Sequence, residues 1–164
     1  MQADIVNKAA LVKKIIAQLT RDLSVYDKAA RAAHAEATHE QSKAENKYDT
    51  RGLEASYLAR GQSRQAAELA QAIEQFEKLA VRHFKKDDAI DLGALVELDG
   101  RNERSFYFIG PRAGGTEVVH EKKEVRVITP PSPLGQQLVG KKQGERLQIE
   151  LGGARSDYKV VFVV

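Results

Sequence analysis

Four carboxylates fall close together midway through the first half of the chain, at Glu40, Glu45, Asp49 and Glu54. If they lie on a helix, Glu45 and Asp49 stand one turn apart on one face, about 5–6 Å between Cβ atoms. Two acids at that separation suit a hard cation such as Mg²⁺, which keeps several waters and takes only one or two protein carboxylates. The same pair also reads as a capping glutamate beside a solvated aspartate. Ser42-Lys43-Ala44-Glu45 has the form of a capping box, a hydroxyl at the N-cap answered by a carboxylate three residues on, and it places a helix start at Ser42. A turn at Tyr48-Asp49-Thr50-Arg51-Gly52, capped by Asp49, competes with it.

Positive charge follows at Lys43, Lys47, Arg51, Arg60 and Arg64. It forms either a stripe facing phosphates or a set of partners for nearby acids at helical spacing. Tyr48 and Tyr57 either close the seam of a helix pair or project for stacking. His39 beside Glu40 is a weak metal signal, and His34, His83 and His120 have no partners at ligand spacing. The chain contains no nucleophile elbow, P-loop or dinucleotide fingerprint. Gly114-Gly115 and Gly152-Gly153 read as hairpin turns.

The elements that must carry these groups differ between the two halves. Residues 5–84 lack proline and are rich in Ala, Gln, Glu and Lys, which favours helix. Val12, Ile16, Leu19, Leu23, Tyr26, Ala30, Ala33 and Ala37 alternate steps of four and three, a heptad seam. A second seam runs through Ala55, Ala59, Gln62, Ala66, Leu69, Ile73, Phe76 and Ala80. Both seams have large side chains far from residue 44 and alanines near it, so an antiparallel pairing matches large with large. That predicts a coiled-coil hairpin over 1–84, slim at its turn, with a first arm roughly 55 Å long. Two helices of a compact bundle are the alternative, but no third long helix is available to cover them.

From Lys85 the period changes. Segments 94–98, 105–109, 124–129, 146–151 and 158–164 are β-branched or aromatic and often alternating, so they read as strands. Ser132-Pro133-Leu134-Gly135 opens a short helix, with Ser132 as N-cap, Pro133 at its first position and Gly140 past its end. The fold class is therefore α+β: a helical hairpin, then a small domain of five strands and one helix over 85–164.

Among 164 residues, 42% are hydrophobic and 30% charged, with no cysteine, a net charge of +3 and a pI near 9.1. Disulfides, thiol nucleophiles and thiolate zinc sites are excluded. Residues 1–84 hold 13 Lys+Arg against 11 Asp+Glu, and the remainder 13 against 12, so neither half is a basic block and charge-driven DNA binding is not expected. No apolar run approaches the ~18 residues of a membrane span, and the first residues lack the apolar core of a signal peptide. The expected location is the cytoplasm.

A helical hairpin followed by a domain carrying Thr129–Glu145, "TPPSPLGQQLVGKKQGE", resembles the bacterial Gre-type transcript cleavage and elongation factors. The resemblance covers the whole architecture and is strongest at Ser132-Pro133-Leu134-Gly135, Leu138, Val139 and Gly144-Glu145. Thr129 stands where that family usually has Ser, and Gln137 where a small residue is usual. The resemblance implies an FKBP-like second domain that docks on RNA polymerase core, with Ser132, Pro133 and Leu134 at the contact. It further implies a hairpin that passes down the secondary channel, near the RNA 3′ end, where tip acids hold a second Mg²⁺ and the polymerase cleaves its own transcript. On that reading the protein is not itself an enzyme, and its Mg²⁺ is shared with the polymerase rather than bound stably.

The tip departs from the pattern. Glu45 and Asn46 match the family's Glu and Asn, but Ser42 takes the place of the metal-holding Asp. Asp49 or Glu40 must then supply the second carboxylate, with Ser42, Asn46, Lys47, Tyr48 and Arg51 as further tip contacts. Otherwise the protein enters the channel as a non-cleaving modulator of initiation or pausing. Two other classes compete. The implied fold is shared with prolyl isomerases, whose sites need several aromatics; the second domain offers Phe106, Tyr107, Phe108, Tyr158 and Phe162. A plain interaction module would need a second apolar stripe along the hairpin, which the pattern lacks.

Overall fold

The computed structural model describes residues 7–38, 51–151 and 153–164, residue 151 by its backbone alone. Two compact units divide them: the described residues within 19–74 form one, and those within 1–18 and 75–164 form the other.

Two helices make the first unit and lead into the second. Helix α1 spans Lys8–Thr38, and α2 spans Arg51–Lys78. Asn7 caps α1, its Oδ1 accepting from the Ala10 amide at 3.0 Å. Within Leu19–Glu74 the helices run antiparallel: Asp22 and Tyr26 adjoin Gln65 and Leu69, while Ala30 and His34 adjoin Ser56 and Ala59. At the alanine end the seams are those predicted. Ala30, Ala33, Ala55 and Ala59 are buried, and Leu23, Tyr26, Ala66, Leu69 and Ile73 are half-buried. At the large-side-chain end they depart from the prediction: Leu11, Ile15 and Ala72 are buried although none was placed on a seam, Ile16 and Ile73 are only half-buried, and Ala80 is exposed. Helix α2 ends at Lys78, so Ala80 leaves the seam for an irregular connection and is exposed.

The second unit is built on a six-stranded sheet: β1 Leu95–Gly100, β2 Glu103–Ile109, β3 Glu117–His120, β4 Lys123–Ile128, β5 Arg146–Leu151 and β6 Ala154–Val163. The order is β3-β4-β2-β1-β6-β5. All neighbours are antiparallel except β2 and β4. The sequence predicted five strands; β3 is the sixth. Its four residues end in a charged turn, too short for alternation to register. Gly114-Gly115 consequently lies in the crossover from β2 to β3 and not in a hairpin. The β3–β4 hairpin turns instead at Glu121-Lys122, with φ of 50° and 66°. The β1–β2 hairpin uses Arg101-Asn102 at φ 55° and 63°, positive values that match the sheet's twist.

Each face of the sheet has its own cover. Val96, Leu98, Ile109, Ile128 and Val160 form one core with Leu138 of α3, the short helix Pro133–Leu138. On the other face Phe108 is fully buried and stacks on Phe76 of α2, ring centroids 6.3 Å apart. A Cβ at Gly110 would sit 2.8 Å from the Phe76 ring, so glycine is what lets α2 approach there.

Candidate functional site

The helix signature singled out in the sequence folds as a single knot. Ser132 is the N-cap of α3, as predicted: its Oγ accepts from the Gly135 amide at 3.0 Å and donates to the Thr129 carbonyl at 2.6 Å. Pro133 occupies the first turn, where a missing amide costs nothing. A Cβ on Gly135 would lie 1.9 Å from the Thr129 carbonyl oxygen, inside its van der Waals shell. The chain therefore crosses itself at a point only glycine can fill. Leu138 is fully buried, and Leu134 and Val139 pack against the same core. Past the helix Gly140 takes φ +92°, and its amide donates to Ile90 O at 2.9 Å, while the Ile90 amide donates to Lys141 O at 2.8 Å. Gly144 is also left-handed, its amide reaching Val160 O at 2.7 Å. Pro133, Gln136 and Gln137 stay exposed, so the knot presents them to solvent while Ser132 and Gly135 hold it together.

The carboxylates at Glu40, Glu45 and Asp49 lie outside the described residues. So do Ser42, Asn46, Lys47 and Tyr48, and with them the expected capping box and its competing turn. Arg51 opens the described part of α2 and is exposed. Further along, Arg60 and Arg64 are exposed, and the Arg60 guanidinium sits 5.5 Å from the Tyr57 ring centroid. Tyr57 thus projects outward and does not close the seam. An open groove of about 720 Å³ runs between the helices there, floored by Ala30 and Ala59. Arg31 is paired across one turn with Asp27 at 3.2 Å. Among the described residues no group of three His, Asp or Glu could hold a metal ion. No helix among them is long and apolar enough to cross a membrane.

Four of the five aromatics of the second half are placed by their packing, and these four do not share one pocket. Phe108 is in the helix-facing core, Tyr107 and Tyr158 pack against the α3 core, and Lys123 Nζ covers Phe106 at 4.9 Å.

Two polar groups escaped sequence reading. Lys8 is 2% exposed; its ammonium donates to Arg82 O and to Val164 O, the latter at 2.9 Å, and stands 4.9 Å from the Phe84 ring centroid. Burial, and then the nearby Arg82 charge, pull its pKa from 10.5 to about 8. His120 is buried at the end of β3. Burial first, then Lys14, hold its pKa below the ordinary histidine value, with Glu121 and the Asn7 backbone acting the other way. Neither was legible because each lies in a locally polar stretch whose burial comes from distant chain.

The described residues thus combine a long helix pair with an α+β domain that carries a glycine-locked Ser-Pro helix. A scan against protein-family models finds no match, and a search of curated proteins finds none. Among solved structures the chain is similar to Thermus aquaticus Gfh1, at 22% identity over 92% of this chain and 94% of that one, TM-score 0.40. It is also similar to GreA factor homolog 1 (Gfh1) of Thermus thermophilus, at 20% identity over 91% and 94%, TM-score 0.38.

Proposed function

We propose that this chain is a Gre-type transcription factor that binds RNA polymerase core and acts through the secondary channel. The observation that carries the reading is the Thr129–Glu145 signature, whose Ser132, Gly135, Leu138 and Gly144 each meet a physical need of the fold. Pro133, at the exposed start of α3, and the half-buried Ser132 and Leu134 beside it are the proposed docking patch. The alanine-lined helix pair is the proposed probe, since alanine seams bring two helices close and keep the pair slim.

At the polymerase active centre, Glu45 together with Asp49 or Glu40 would supply carboxylate to Mg²⁺. A metal held there would supply water activation and charge balance at the scissile phosphate. Ser42 favours a second reading. A neutral hydroxyl binds Mg²⁺ far less well than the carboxylate found at that place in the family, so the factor would occupy the channel without promoting cleavage. A backtracked elongation complex with Mg²⁺ separates the two. Shortened RNA with the wild-type chain, lost in Glu45→Ala/Asp49→Ala, supports cleavage assistance by these acids. Unshortened RNA together with slowed elongation supports the non-cleaving modulator. Shortened RNA that persists in the double variant removes these acids from the proposal.

A further inference from the structure

The sheet ends on one side at β5, which pairs with β6 alone. The Val160 amide donates to the Glu145 carbonyl at 2.9 Å, and backbone groups alternate direction along an antiparallel strand. Odd-numbered residues of β5 therefore turn their amides and carbonyls toward β6, while Arg146, Gln148 and Glu150 turn theirs outward. The strand has no proline, glycine or register break between 146 and 151, and the charges it does carry, Arg146 and Glu150, are of opposite sign. The opposite edge is treated differently. There β3 is four residues long, and Lys14 Nζ donates to the Val119 carbonyl at 3.3 Å.

We propose that β5 pairs with β5 of a second copy of this chain, antiparallel and centred on Gln148. That register sets Arg146 of one copy opposite Glu150 of the other, Leu147 opposite Ile149, and Gln148 opposite itself. Because the even-numbered residues of both strands face the seam, all their amides and carbonyls find partners at once. The side chains agree with the backbone. Arg146, Gln148 and Glu150 are exposed on one face, so the two Arg–Glu pairs form in solvent. Leu147 is buried and Ile149 half-buried against the core, so their cross-copy contact extends an apolar face already present.

Charge distinguishes a second copy from an arbitrary strand. Within its own sheet Arg146 lies opposite Lys159, two like charges side by side. The second copy brings Glu150 to the free side of Arg146 and offsets that repulsion. The pairing is two-fold and closed, so it yields a dimer and not a filament. One strand pair buries little area, so the dimer is weak and dependent on concentration.

Sedimentation equilibrium of the full chain, over roughly 1 to 500 µM, tests this. A monomer–dimer equilibrium is expected. Gln148→Pro removes an amide that faces away from β6, a place where an edge strand tolerates proline, and should give a folded monomer. Arg146→Glu creates two like-charge pairs by symmetry and should raise the dimer Kd about tenfold. Adding Glu150→Arg to it restores the pairs with reversed sign and should recover most of the loss. A monomer at every concentration overturns the proposal. So does a dimer indifferent to Gln148→Pro, or a charge-swapped double variant no tighter than Arg146→Glu alone.

Discussion

Gly135→Ala is expected to lower the stability of the sheet-containing unit by at least about 3 kcal/mol, the upper end of overpacking costs. The added methyl would meet the Thr129 carbonyl oxygen at 1.9 Å, with Ser132 Oγ at 2.8 Å on another side. Neither obstacle is the loose end of a flexible side chain. The carbonyl accepts from the Ser132 hydroxyl and the Ser132 amide, at 2.6 and 3.0 Å, so retreating from the methyl breaks both bonds. Ser132→Ala makes the control, because it removes the cap without adding volume and should cost about 1 kcal/mol. Thermal unfolding should place Gly135→Ala roughly 10 °C below the wild type and Ser132→Ala only a few degrees below. Equal losses in the two variants would show that the close crossing at Gly135 is not what holds the signature.

Raising the pH from 8 to 10.5 is expected to stabilise the wild-type chain relative to Lys8→Met. In the folded chain Lys8 titrates near 8; unfolded, it returns to 10.5. Between those values the unfolded chain holds a proton that the folded chain has released, so unfolding becomes harder as pH rises. Below pH 8 both states are protonated and the full burial cost is present. Above 10.5 both are neutral and the cost is gone. The span corresponds to the order of 3 kcal/mol, taken as an upper bound. Methionine has nothing to titrate, so the variant lacks this slope, and comparing the two cancels tyrosines and other lysines. Urea midpoints at pH 7, 8.5 and 10 would check it, and parallel pH profiles for the two proteins would contradict it.

Periodicity made most of this architecture legible. The heptad steps through Ala30, Ala33, Ala55 and Ala59 pointed to the buried seam because a two-helix contact repeats its demand every few residues. The Ser132 cap was legible because capping is local chemistry, readable within four residues. What stayed hidden depends on distant partners. The strand β3 is too short to show a period, and it exists because β4 pairs with it. Lys8 reads as an ordinary helix lysine until Arg82 and Val164, far along the chain, close over it. The demand on Gly135 is intermediate: the sequence offered the motif, and only the Thr129 carbonyl explains why no side chain fits.

Binding to RNA polymerase core through α3 and the helix pair is the function proposed above. Binding of the full chain to purified bacterial RNA polymerase core, by titration with a fluorescently labelled chain, tests it most directly. Saturable binding is expected, weakened when the exposed Pro133 is replaced by Glu in a chain that still unfolds at the wild-type temperature. No binding to core at any protein concentration used, with the chain folded, would contradict it.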